Sequence, residues 1–461
     1  MRALFFPVFC LCFSQKAPGP TRKQELTRLH QSRAYGHMRQ LKHPLFIASA
    51  LVITLMSKSP LIAAAPSYEF APNFIQPPEG SETIGNGHGE IQVDSAGNIY
   101  VSVEGQDAGG MQVYSPEGKF LKYLKLPRTL HGFSIRKSAE GEFIFAAVLG
   151  ESKVIKASLN GEILLEIPKS SFPAEIANSI TLTLKDGTVL SGKSPQDEKA
   201  AISFTQKDGS VKKVEKSDLA LKASFTLKAG QKVDGINPTI TDDSITLTVA
   251  GKQNTYKKSD IAEKDGKPVI NQSPADSRGS LKLTSADQAP NGDIYVVDGY
   301  GTSWIFVFDS KGNFKKQFGG PAQPYGLANC HKIHVDTRFS PARIFLCDRG
   351  NKRIMHASLE GDLLGVIATG LRNPSSASFH GDFVAIAEIA GRISVWDKEG
   401  KLVAELGANN TPGQTNTPGV QPSDWRDNVV TSPHGVTFDG KGNILETEWN
   451  KWGRVLKWTR K

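Results

Sequence analysis

The chain has 461 residues, 39% of them apolar and 22% charged, with 44 Gly and 26 Pro, a profile that excludes a disordered chain and a membrane bundle and leaves one large or two smaller folded cores. The formal charge of +9 is concentrated in residues 1–65, which hold nine Lys/Arg against Glu25 alone and leave 46 basic and 45 acidic residues for the rest. A basic groove for nucleic acid along the folded part is therefore not expected.

Residues 1–65 read as a leader. Met38 opens a short basic stretch (Arg39, Lys42, His43), followed by the apolar run Pro44 to Met56 and the small-residue end Ala63-Ala64-Ala65, the layout of a secretory signal at 38–65. The run is about 13 residues, too short to span a bilayer of roughly 30 Å. Met1 to Phe13, also basic and then apolar, is the alternative signal. Either version exports the protein to a periplasmic or extracellular location, with no membrane attachment once the signal is removed. Cys10 and Cys12 leave with the leader, and Cys330 and Cys347 remain in a compartment that permits disulfides. The spacing predicts a bridge between them across a hairpin, with two free thiols as the alternative.

Beyond the leader the sequence repeats. An alternating strand, a Gly turn, a strand ending in an acid and a further hairpin recur at Val93 to Gly118, Gly141 to Gly161, Gly292 to Gly312, Ile344 to Gly361, Asp382 to Gly400 and Gly442 to Trp458. Six such units predict an all-β fold, a six-bladed β-propeller. The last unit has only three strands before Lys461, and residues around Tyr68 to Ile84 are expected to supply its fourth. The turn glycines Gly161 and Gly312 lie 151 residues apart, against 39 to 49 elsewhere, so a segment is inserted there. It is duplicated: Leu182 to Gly187 matches Phe225 to Gly230, and Lys216 to Leu219 matches Lys258 to Ile261. The expected organisation is a leader at 1–65, blades 1 and 2 with the closing strand at 66–173, an inserted tandem β module at 174–280, and blades 3–6 at 281–461. The insertion is a candidate contact for a protein partner, or a lid.

Four histidines occupy one position of the repeat, opening the innermost strand of their blades: His88, His131, His331 and His434. His131, His331 and His434 belong to blades 2, 4 and 6, about 120° apart on a six-fold ring. Three imidazoles then converge at one channel mouth with a fourth position open, the pattern of a catalytic zinc site. His88 is a possible extra ligand, and histidines bonded only to backbone carbonyls are the bland alternative. Tyr300, after Asp298-Gly299, and Arg349, after Asp348, leave the same face; a phenol near a divalent ion can act as a base, and a guanidinium can clamp a carboxylate. The acids Asp298, Asp348, Glu388 and Glu448 recur at one strand end, which predicts a shared structural role.

The units resemble NHL repeats. The set Leu130-His131-Gly132, Asp298-Gly299-Tyr300, Cys330-His331, Asp348 to Arg353 and Ser432-Pro433-His434 resembles the peptidyl-α-hydroxyglycine α-amidating lyase family, over most of residues 85–461 outside the insertion. The resemblance implies zinc on His131, His331 and His434, Tyr300 as the base that removes the hydroxyl proton, and Arg349 steadying a small-molecule or peptide substrate at the channel mouth, cleaved to an amide and glyoxylate. In that family an aspartate after the third zinc histidine helps hold calcium; here Gly435 stands there, which makes calcium doubtful. Two other readings stand beside this one: a non-catalytic propeller binding a protein, peptide or glycan, and a lactonase-like hydrolase, for which the channel offers no matching acid and amide ligands.

Overall fold

The computed structural model describes residues 65–105, 109–249, 251–279 and 281–461. The leader expected at 1–65 lies, apart from Ala65, outside the described residues. Among the described residues no helix is long and apolar enough to cross a membrane.

Six antiparallel four-stranded sheets carry the fold. Sheet 1 comprises Ile91–Val93, Ile99–Ser102, Met111–Tyr114 and Phe120–Leu124, and sheet 2 Leu130–Ser138, Gly141–Val148, Lys153–Ser158 and Ile163–Ile167. Sheet 3 comprises Ser285–Gln288, Ile294–Val297, Trp304–Phe308 and Phe314–Gly319, and sheet 4 Cys330–Asp336, Arg343–Asp348, Arg353–Ser358 and Leu363–Thr369. Sheet 5 comprises Pro374–His380, Phe383–Glu388, Arg392–Trp396 and Leu402–Leu406. Sheet 6 has Pro433–Phe438, Ile444–Glu448 and Val455–Arg460, and its fourth strand is Tyr68–Ala71, paired antiparallel to the last strand of the chain.

Why these residues form these sheets is visible at the turns. The hairpin between third and fourth strands closes on Gly118, Gly161, Gly312, Gly361 or Gly400, all with φ between 84° and 95°, a backbone region that costs glycine nothing. The inner strands of each sheet are buried on both faces, and the fourth strands are largely exposed or half-buried. Six apolar clusters result, one in each gap between successive sheets. The first strand of each sheet touches the first strand of the next, and that of sheet 6 touches that of sheet 1. The ring of inner strands is thus closed, and the architecture is a β-propeller.

The repeated acids tie each sheet to its own first strand. The carboxylate of Asp298 accepts from the Lys282 and Thr302 N–H groups, that of Asp348 from Ala328 N–H and Arg353, that of Glu388 from Arg372 N–H and Arg392, and that of Glu448 from Thr431 N–H and Arg454. Backbone donors that would otherwise be lost at the start of each sheet are satisfied in this way.

Between sheets 2 and 3, residues 179–278 form two five-stranded sheets. The first orders its strands Val211–Glu215, Ala201–Thr205, Val189–Asp197, Ser179–Thr183, Asp276–Arg278; the second orders Lys252–Lys257, Ser244–Val249, Lys232–Ile240, Leu221–Thr226, Asn271–Pro274. Each has its own apolar core, around Leu182 and Phe204 in one and Phe225 and Leu247 in the other. The duplication extends to the irregularities: the long strand of each bulges at a left-handed residue, Ser194 in one and Asn237 in the other.

The expected disulfide does not form: Cys330 and Cys347 are free and buried. In sheet 4, Cys330 lies opposite Asp348 and Cys347 opposite Lys332. Their side chains leave on different faces, Cys330 into the core shared with sheet 3 and Cys347 into the core shared with sheet 5. Burial pushes both thiols above the ordinary range, which keeps them protonated and inert.

One core residue breaks the apolar rule. Glu446, in the second strand of sheet 6, is fully buried and neither carboxylate oxygen has a hydrogen-bond partner. Burial and then the charge of Glu448 push its carboxyl well above the usual range, with Arg454 opposing. A raised folded-state pKa makes the protein bind a proton that the unfolded chain releases. Its stabilising effect is complete below the ordinary glutamate range and is lost as pH rises toward the folded value. Glu446→Gln is expected to leave stability at pH 4 nearly unchanged and to raise it by about 1–3 kcal/mol at pH 8, measured by urea unfolding at both pH values.

Candidate metal centre

The histidines sit on β-bulges. In sheet 4 the cross-strand register passes from Cys330 to Lys332 and omits His331; in sheet 6 it passes from Pro433 to Gly435 and omits His434; in sheet 5 it omits Ser375. In sheet 2 it omits His131 and Gly132 together. A bulged residue escapes the in-and-out alternation of its strand, which lets these side chains meet at the ring axis. The glycines after two of them are required by close approach. A Cβ on Gly132 would lie 2.1 Å from the carbonyl oxygen of Thr284, and one on Gly435 would lie 2.8 Å from a Glu90 carboxylate oxygen.

His131, His331 and His434 converge. Their ring centroids are 5.0 Å (131–331), 5.0 Å (131–434) and 4.7 Å (331–434) apart, and all three side chains are buried. Each Nδ1 faces a backbone carbonyl of the following sheet: Thr284 at 2.8 Å, Ser375 at 2.6 Å and Gly89 at 2.8 Å. A carbonyl only accepts, so the proton is on Nδ1 and the Nε2 lone pair is free in all three rings. The Nε2 atoms of His131 and His434 have no partner, and that of His331 accepts from the Tyr300 hydroxyl at 2.9 Å. Burial holds the three imidazoles well below their ordinary pKa, with Arg349 and the neighbouring histidines acting in the same direction. Neutral, oriented imidazoles with bare nitrogens in a buried ring are what a divalent transition metal needs and what a carbonyl-bonding role alone leaves unexplained. Imidazole donors are of the kind that bind zinc, and the ligand atoms that all lie within 4.8 Å of one another are those of His88, His131 and His434, a group that His331 does not join.

Tyr300 and Arg349 reach the same place. The Tyr300 ring lies 5.2 Å from both His131 and His331, and Arg349 Nη1 is 3.4 Å from its hydroxyl. Burial pushes the phenol pKa up and Arg349 opposes that rise. His88 stands beside the trio, 5.0 Å from His131 and 5.0 Å from His434. Its Nδ1 is 3.0 Å from Glu104, and Trp449 packs on it at 5.7 Å. Neither Glu104 nor Trp449 stood among the site residues expected from the sequence. Trp449 follows the strand-end acid Glu448 as Arg349 follows Asp348, and Glu104 holds the corresponding place in sheet 1, where Val103 stands instead of an acid; that shared offset was the available signal. His334, His356 and His380 lie elsewhere, against Asp287, Asp336 and Phe438.

Beneath the histidines the axis is closed by an ion pair. Lys332, 1% exposed, places Nζ 2.6 Å from Glu90 and 3.0 Å from the Phe133 carbonyl. Glu90 also accepts from Ser376 and from the Ile91 and Val436 N–H groups, so residues of sheets 1, 4, 5 and 6 meet on it, and Lys332 ties in sheet 2 through Phe133. Burial pushes the Glu90 carboxyl up, and Lys332 opposes. The cavity between this pair and the histidines has about 150 Å³ of non-atom space, too little for an organic ligand of ordinary size. His88, Tyr300 and Arg349 do not line it.

No protein-family model matches the chain. Among solved structures it is similar to a streptogramin B lyase, at 13% identity and a TM-score of 0.43, over 86% of this chain and 98% of that one. It is also similar to virginiamycin B lyase from Staphylococcus aureus, at 13% identity and a TM-score of 0.41, over 85% of this chain and 99% of that one.

Removing one partner of a buried pair leaves the other charge uncompensated. Lys332→Met is expected to cost about 3–5 kcal/mol of stability, with much of it recovered in Lys332→Met/Glu90→Met, as read in a double-mutant cycle by chemical unfolding.

Proposed function

We propose that the chain is an exported, six-bladed propeller of the NHL type that holds zinc on His131, His331 and His434 and acts as a lyase of the peptidyl-α-hydroxyglycine type. The observation that carries the reading is the set of three neutral, buried imidazoles, each locked by its Nδ1 contact to a backbone carbonyl in or next to a neighbouring sheet, with ring centroids 4.7–5.0 Å apart. Zinc, when bound, would supply Lewis acidity toward an oxygen of the substrate.

The other roles belong to the chain. Arg349 binds the substrate carboxylate through its guanidinium and, beside the phenol, favours the ionised form of Tyr300. Tyr300 Oη takes the proton of the substrate hydroxyl. The electron pair of that O–H bond becomes the second bond of the aldehyde carbonyl, the C–N bond breaks, and the amide nitrogen takes up a proton. The products are an amide and glyoxylate, with no change of oxidation state overall.

Calcium has no place in this scheme. A calcium site needs six to eight oxygen donors, and on the axis the Glu90 carboxylate and the Phe133 carbonyl are committed to the Lys332 ammonium. The tandem module at 174–280 remains a surface for a protein partner.

Metal analysis of the purified chain is expected to give one zinc per chain, lost in His331→Ala, and α-hydroxyhippurate is expected to yield glyoxylate. Tyr300→Phe should lower kcat by about 10²–10⁴-fold, while Arg349→Ala should act mainly on KM. Zinc at full stoichiometry without glyoxylate would leave the centre and remove the lyase. Added calcium chloride is expected to leave Tm unchanged in a thermal melt.

A further inference from the structure

We infer that His88 is a fourth imidazole ligand of this centre, oriented by Glu104, so that the resting metal has four nitrogen donors. The inference rests on the three-histidine reading above and deepens it. The ligand atoms of His88, His131 and His434 all lie within 4.8 Å of one another, a group that His331 does not join, and the His88 ring is as close to His131 and His434 as those two are to each other, 5.0 Å in every case; the His331 ring is 4.7 Å from that of His434.

Orientation agrees with position. Glu104 Oε1 holds His88 Nδ1 at 3.0 Å, while Glu104 Oε2 accepts from Asn86 Nδ2 at 3.3 Å. The carboxylate therefore has its own support and plays for His88 the part that backbone carbonyls play for the other three rings. A carboxylate behind a ligating imidazole fixes the ring and raises its basicity. His88 Nε2 is directed inward, 3.3 Å from the Tyr300 hydroxyl.

Proton counting completes the case. With every Nδ1 protonated, four Nε2 lone pairs face one small space. The Tyr300 hydroxyl has a single proton, and it is 2.9 Å from His331 Nε2. The His88 contact to the same hydroxyl is longer, 3.3 Å, and the Nε2 atoms of His131 and His434 have no partner. Two Nε2 atoms without a partner, beside two that share one hydroxyl, favour a cation there. Two of the three gaps around the trio are then filled, by His88 between His131 and His434 and by Tyr300 between His131 and His331. The gap between His331 and His434 is where a substrate oxygen would enter as a fifth ligand.

The test uses the full chain loaded with cobalt(II) and reads the visible spectrum, its response to azide and the rate of cobalt release to a chelator. Wild type is expected to show a four-coordinate band that azide does not shift. His88→Ala should still take one cobalt, acquire an azide-sensitive spectrum and release metal at least about tenfold faster; Glu104→Gln, which leaves the ring in place, should release it about tenfold faster than wild type. Thermal melts without metal establish that the variants are folded. Equal spectra, azide responses and release rates in wild type and His88→Ala would overturn the fourth ligand while leaving the trio intact. Failure of both to bind cobalt would overturn the trio, and this inference with it.

Discussion

Three imidazole N–H groups donate to three backbone carbonyls of neighbouring sheets, and the character of the centre follows from that. The carbonyls of Thr284, Ser375 and Gly89 fix the tautomer, the ring plane and the direction of each Nε2 lone pair. They also couple sheet 2 to 3, 4 to 5 and 6 to 1, so the geometry of the centre and the closure of the ring constrain each other. A single displaced sheet would spoil both. Histidine, with one nitrogen for the scaffold and one for the ligand, is the side chain that can serve two such masters.

The axis is layered, and the layers have different chemistry. The upper layer is neutral: burial and the positive charge of Arg349 keep the imidazoles unprotonated and available as donors. Directly below, Lys332 and Glu90 form a paired, fully hydrogen-bonded plug. An ammonium in that position supplies a fixed positive charge without a second exchangeable ion. The plug also makes the site one-sided, because the space above it is too small to pass an organic molecule. The imidazoles are open only toward the mouth where Tyr300, Arg349, His88 and Glu104 gather.

The tandem module stands apart from this logic. Its two halves repeat each other down to the bulge and the left-handed residue, Ser194 and Asn237, and each buries its own core. It interrupts the chain where the last strand of sheet 2 passes to the first of sheet 3, and its ends are brought together by pairing of Ser179–Thr183 with Asp276–Arg278. An insertion closed on itself in this way leaves the inner strands, and the centre they support, undisturbed.

Much of the architecture was legible in the sequence, because local rules govern it. Alternating strands, turn glycines forced to positive φ and acids returning at one strand end specify sheets one at a time; histidine holds one repeat position in sheets 2, 4 and 6, whereas His88 lies one residue before that position, which Gly89 holds. The failures share a cause. Cys330 and Cys347 were expected to bridge, but the bulge at His331 sets the register so that the thiols leave on opposite faces. Glu104 behind His88, the pairing of Lys332 with Glu90 242 residues away, and the unpartnered Nε2 atoms of His131 and His434 have no local signature. By itself, then, the chain determined its strands, its period and its duplicated insertion, which depend on neighbours a few residues apart. Which nitrogen carries a proton, which charge finds a partner and which face a side chain takes were decided only when the ring closed, because burial and hydrogen bonding between distant segments set them.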